Sequence, residues 1–157
     1  MSGARHFSEL IVWKLGDEIR IETFKLTTKP GFAGDLRARS QAEDAANSVC
    51  RNIAEGFGCE SHKEFARFLV ISRRSLNELQ DILRGALLKK YVNADDLATI
   101  RALSARFYPA MSRLLAYLHS TRDGRKPSDG TTNRRADSAR TRSRTNKGPR
   151  NRTDQDR

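Results

Sequence analysis

From Ser61 to Lys89 the apolar residues recur at three- and four-residue steps. Phe65, Phe68, Leu69, Leu76, Leu79, Leu83 and Ala86 fall on one side of a 3.6-residue helix, with Ser72 among them. Such a stripe commits the segment to an α-helix that is buried along its whole length against other helices. Ser61 and Glu64 have the spacing of a capping box at its start, and Lys89 and Lys90 suit the negative end of its dipole.

Three further segments follow the same rule. Leu10, Val12, Trp13, Leu15, Ile19, Ile21 and Phe24 predict a first helix over 8–26 and cover more than one stripe, so two buried faces are expected. A loop over 27–34 is punctuated by Pro30, Gly31 and Gly34. The second helix is expected over 35–55, with Ala42, Ala45 and Val49 facing inward and Gly56 as its C-terminal cap. The fourth begins at Asn93, carries Leu97, Ile100, Phe107, Met111, Leu114 and Leu118, and should kink or break at Pro109. No strand pattern or internal repeat competes. Short connections favour antiparallel neighbours, so the expected fold is all-α: an up-down-up-down four-helix bundle over 1–122.

The remainder, 123–157, has a different composition. It holds eleven Lys and Arg against five Asp and Glu, no aromatic residue, and, proline apart, only Ala136 and Ala139 as aliphatic side chains. Such a segment cannot bury enough apolar surface to offset its ordering entropy and reads as a disordered basic tail. It accounts for about half of the net charge of +11. Two readings fit: contact with a polyanion (RNA, DNA or an acidic protein surface), or a solubilising tail. Arg140, Arg142 and Arg144 are the strongest candidates there for phosphate contact, because no acidic residue lies closer than Asp137.

Basic residues also align on the helices. Lys63, Arg67 and Arg74 share one face of the third helix, Arg73 and Arg84 another, and Arg106 and Arg113 lie one heptad apart on the fourth. Lys89 and Lys90 end the third helix. Either these meet phosphates, or they form an ordinary solvated face with ion pairs to Glu60 or Glu64.

Two polar pairs sit at i, i+3: Asn52 with Glu55 in the last turn of the second helix, and Ser75 with Glu78 on the third. Asn52 continues an apolar stripe, where an amide is costly unless hydrogen-bonded. A carboxylate site for acid–base work or a metal is one reading. A structural network that sets helix register is the other, and it is preferred because no Glu-x-x-His accompanies the pairs. His6, His62 and His119 fall near helix ends or in the N-terminal arm and read as solvated. Gly56-Phe57-Gly58 lacks the strand and Lys of a phosphate loop, and no serine has a nucleophile-elbow context. No reaction, metal or cofactor is therefore expected. Cys50 and Cys59 fit neither a zinc spacing nor a disulfide framework, which suits a reduced, cytoplasmic protein. No secretory signal or membrane-length apolar run is seen. Trp13, Phe24, Phe65, Phe68, Phe107 and Tyr108 read as core or subunit contacts, and the two-sided first helix argues for a symmetric oligomer.

These segments resemble a known family. Phe7-x-x-Leu10-x-Val12-Trp13-Lys14 is similar to the opening of the four-helix-bundle proteins encoded in intervening sequences of bacterial large-subunit ribosomal RNA. Gln41-x-x-x-Ala45-x-x-Ser48-Val49-x-x-Asn52-Ile53-Ala54-Glu55-Gly56 resembles that family's most recognisable stretch. Lys63-Glu64-Phe65-x-x-Phe68-Leu69, followed by Ser75-Leu76-x-Glu78-Leu79, resembles its third helix. The resemblance implies an antiparallel bundle assembled as a homopentamer. The same superfamily includes accessory proteins of diversity-generating retroelements, basic pentamers that bind a reverse transcriptase and nucleic acid. Three departures stand out. Arg74 replaces the Gly common before the serine of Ser-Leu-x-Glu, which questions close helix packing there. The first loop reads Lys29-Pro30-Gly31-Phe32-Ala33-Gly34-Asp35-Leu36, and the basic tail is an addition.

The function expected from the residues and the resemblance together is non-catalytic, oligomeric nucleic-acid binding, RNA-directed. The alternative is a protein–protein adaptor such as an accessory subunit of a retroelement reverse transcriptase.

Overall fold

The computed structural model describes residues 4–121. The expectations for 122–157, including the disordered tail and Arg140, Arg142 and Arg144, lie outside the described residues. Those described are helical, with no strand. A 3-10 turn, Phe7–Glu9, precedes α1 (Ile11–Thr27). A short helix α2 (Pro30–Gly34) leads into α3 (Leu36–Phe57), α4 (His62–Leu88) and α5 (Ala98–Ser120).

The four long helices run up, down, up and down, and contacts at the two ends of the bundle establish this. At one end His62, in the first turn of α4, meets Thr121, which follows α5: ring Nδ1 and Thr121 Oγ1 are 2.9 Å apart. At the other end Lys89, which ends α4, reaches Asp35, which caps α3, at 3.0 Å. α1 packs on α3 and α5, and α4 packs on the same two helices, so the four close a ring around one core. Ile19, Val49, Ile53, Leu69, Leu76, Leu79, Phe107 and Met111 are fully buried in it. All but Ile53 come from a stripe named from the sequence.

Ser61 does cap α4: its hydroxyl accepts from the Glu64 amide at 3.1 Å. Several local expectations are corrected. The loop at 27–34 contains α2, nucleated by Pro30 at its first position, where a missing N–H is harmless. α2 places Phe32 completely inside the core, 6.0 Å from the Tyr91 ring.

Gly56 is not a C-cap. α3 continues through Phe57 to cap at Gly58, and Gly56 is buried where α3 leaves for α4. A Cβ at Gly56 would lie 2.7 Å from Phe65 Cδ2 and 2.7 Å from Phe68 Cβ, so the glycine is there for close approach, not for turning.

Asn93 caps a turn that precedes α5. Its Oδ1 accepts from the Asp96 amide, Asp96 Oδ2 accepts from the Asn93 amide, both at 2.9 Å, and the helix itself starts at Ala98. Pro109 sits within α5 without breaking it. Proline removes one donor, and that residue is on the exposed side of the helix, where water can serve the freed carbonyl.

α1 buries one face, through Val12, Leu15, Ile19 and Leu26. On the opposite side Ile21 and Phe24 remain 47% and 38% exposed in the single chain. Arg74, in place of a small residue, creates no packing conflict because it is exposed on the outer side of α4.

Candidate nucleic-acid interface

The polar residues of the α3–α4 seam form a chain of hydrogen bonds, but not the set expected. Asn52 Nδ2 donates to the Ser48 carbonyl at 2.7 Å and to Ser48 Oγ at 3.0 Å. Ser48 Oγ lies 2.9 Å from Ser75 Oγ on α4, and Ser72 donates to the Val49 carbonyl at 2.8 Å. Asn52 and Ser75 are therefore joined through Ser48, which sequence reasoning passed over. Glu55 and Glu78 stand apart. Both are exposed and make no side-chain hydrogen bond or ion pair among the described residues. Three residues along a helix is a turn of 300°, and that remaining 60° takes a side chain from the seam into water.

With its carboxylates in solvent, the seam has no buried acid or base to work with. Among the described residues no group of three or more His, Cys, Asp or Glu could hold a metal ion. Cys50 and Cys59 are both free thiols. Burial pushes the Cys50 thiol up to about 11, which keeps it protonated and unreactive. Burial also raises Cys59, helped by the Glu64 and Glu55 carboxylates. His62, expected to be solvated, is engaged with Thr121. His6 accepts from the Ser8 amide at 3.3 Å as the cap of the first turn. None of the described helices is long and apolar enough to cross a membrane.

Charge is distributed unevenly over the fold. Residues 4–61 carry eight Lys and Arg against nine Asp and Glu, whereas residues 62–121 carry ten against five. Pairing widens the difference. Within the first half Arg20 pairs with Asp17, Lys25 with Glu22 at 2.6 Å and Arg39 with Glu43 at 2.9 Å, and Lys29 reaches Asp96 of the second half at 2.5 Å. Of the ten basic side chains on 62–121, Lys89 alone is in an ion pair among the described residues. α5 carries Arg101, Arg106 and Arg113 and no carboxylate at all. The α4–α5 half thus carries a formal charge of +5, against −1 for residues 4–61.

Lys63, Arg67 and Arg74 form an exposed ridge along the outside of α4. The ion pairs with Glu60 or Glu64 that the sequence allowed are not made. Around the helix toward α5 runs a second line at i, i+4, i+7, i+11: Arg73, Asn77, Gln80 and Arg84. Tyr108 of α5 reaches across to it. Its hydroxyl donates to Asn77 Oδ1 at 2.7 Å and lies 3.1 Å from Gln80 Oε1. Burial raises the Tyr108 phenol and keeps it a donor, against the pull of the nearby Arg73. Arg101 extends this line from the α5 side. It belongs to no repeated basic spacing, so only the packing of α5 on α4 reveals it.

Lys89 and Lys90 also have structural roles at the end of α4. Lys89 holds Asp35 and lies 5.4 Å from the Tyr91 ring centroid. Asp35 also accepts from the Ala38 amide at 3.0 Å and the Tyr91 hydroxyl at 3.1 Å. Those bonds, first that of Ala38 and then that of Lys89, hold its carboxyl down at about 2. Lys90 adopts φ 59°, in the left-handed region. The Tyr91 amide donates to the Ala86 carbonyl at 2.9 Å and the Lys90 amide to Leu87 at 3.0 Å, which is a Schellman closure with lysine where glycine is usual.

The fold and its surface define a class: an antiparallel four-helix bundle with a hydrogen-bonded α3–α4 seam and one basic side. Residues 8–111 match the family model of the 23S rRNA-intervening sequence protein, and the chain belongs to that family. No curated protein matches it.

Proposed function

We propose that the protein is a non-catalytic, oligomeric nucleic-acid-binding protein of the cytoplasm, directed at RNA. The observation that carries this reading is the α4–α5 side, where nine of ten basic side chains lack a carboxylate partner among the described residues. Lys63, Arg67 and Arg74, at one to two turns' spacing, would neutralise successive phosphates and release their counterions. Arg140, Arg142 and Arg144 would add to this neutralisation. Ile21 and Phe24, exposed on α1, supply apolar surface for assembly, and several copies on one RNA raise avidity without any new interaction. The resemblance suggests five copies.

The test is RNA affinity measured across salt concentration by fluorescence anisotropy, with assembly mass by light scattering. Affinity should fall steeply with salt. Replacing Lys63, Arg67 and Arg74 with Gln should make the log–log slope shallower, by roughly 0.7–0.9 for each phosphate that is no longer neutralised. Absent or salt-independent binding overturns the reading. Binding only in company with a reverse transcriptase would favour the adaptor alternative.

A further inference from the structure

Where α4 and α5 meet near their connecting loop, a half-open groove of about 480 Å³ runs between them. That volume suits a small organic ligand, for which sites of roughly 300–1,000 Å³ are usual. Leu87, half-buried on α4, and the outer edges of the buried Leu83, Leu97 and Ile100 supply its apolar lining. Arg84 enters from α4 and Arg101 from α5, and among the described residues no carboxylate lines it. Gln80 completes the edge, beside the Tyr108 hydroxyl.

We infer that this groove receives one unpaired nucleotide of a single-stranded RNA, with its phosphate met by Arg84 and Arg101 and its base laid on the apolar lining. The inference rests on the nucleic-acid function proposed for this protein and adds a preference for strand state. A phosphate alone would need the arginines and not the apolar surface. A stacked base inside a duplex could not reach that surface, whereas a splayed-out base presents a flat apolar face to it. Two guanidiniums from different helices, both without an ion-pair partner among the described residues, can each donate to the anionic oxygens of one phosphate. Gln80 offers both a donor and an acceptor to a base edge.

The test uses the full chain. Anisotropy compares an unstructured RNA with its duplex at one salt concentration, and amide NMR shifts follow a titration with uridine 5′-monophosphate. The single strand should bind about tenfold more tightly, the scale of burying one base face against aliphatic side chains. The mononucleotide should shift the amides of Leu97 and Ile100. Arg84→Gln with Arg101→Gln should abolish the preference, and Leu87→Trp, which fills the groove, should do the same. Lys63→Gln with Arg67→Gln should weaken both forms equally. RNA binding without strand preference overturns this inference and leaves the proposed function standing. No RNA binding in either form sinks both. A change in assembly mass on replacing the two arginines would show that a second copy fills the groove, and displacement of the single strand by an acidic peptide that shifts the same amides would assign the groove to a protein; either overturns the inference.

Discussion

Ser48 and Ser75 meet hydroxyl to hydroxyl at 2.9 Å, and through that bond the amide of Asn52 on α3 is tied to α4. Ser48→Ala removes one acceptor of Asn52 and the partner of Ser75. It should lower stability by about 0.5–1.5 kcal/mol in urea unfolding. A cycle with Ser75→Ala should show a coupling of about 0.5 kcal/mol or more, because the two residues share one bond. Glu55→Gln and Glu78→Gln, both in solvent, should stay within about 0.5 kcal/mol of the parent. A large loss of stability at either carboxylate would contradict this network.

Gly56→Ala tests the junction of α3 and α4. The new Cβ would fall 2.7 Å from Phe65 Cδ2 and from Phe68 Cβ, inside any normal van der Waals separation. Helix propensity favours alanine by about 0.8–1.0 kcal/mol, whereas overpacking typically costs about 1–3 kcal/mol. Overpacking prevails, because Phe68 Cβ is anchored to its backbone. A lowered urea midpoint is expected; an unchanged or raised midpoint would mean that the junction yields.

Lys90→Gly should act in the opposite direction. The left-handed backbone at φ 59° costs a residue with Cβ about 1–2 kcal/mol, and glycine escapes this at an entropic cost of roughly 0.5–1 kcal/mol. The net expectation is a gain of about 0.5–1 kcal/mol, read as a higher thermal midpoint. RNA affinity measured on the same variant would separate any role in phosphate binding from this backbone role.

Asp35 supplies a dependence on pH. Its carboxyl is held at about 2, below its ordinary value, so the stability it contributes is present above that ordinary value. It is lost as pH falls from about 4 toward 2. Asp35→Asn keeps a residue able to cap α3 while removing the charge that meets Lys89. The variant should show a flatter stability profile across that window. Because the group lies at the surface, added salt should shrink the difference.

The bundle was legible because each long helix carries its own apolar stripe, and a stripe needs no knowledge of its neighbour. What failed needed the neighbour. Gly56 looks the same in sequence whether it turns the chain or admits Phe65 and Phe68. Asn52 and Glu55 share a motif but face different surroundings, because an i, i+3 step does not conserve direction closely enough at the edge of a seam. α2 is too short to display a period, so Phe32 read as part of a loop while it fills the core. The basic ridge at Lys63, Arg67 and Arg74 was visible from spacing alone. Arg101 was not, since its significance comes from Arg84 on another helix.

The uneven placement of charge gives the folded unit an electric dipole across the bundle, directed from the side of α1 and α3 toward α4 and α5. In the field of a polyanion such a body rotates before it touches. It arrives with α4 and α5 leading, and the fraction of collisions in a productive orientation rises accordingly. Under the proposed function the same rotation would turn Ile21 and Phe24 on α1 outward, so that a molecule held on RNA would present its apolar side to the next one to arrive.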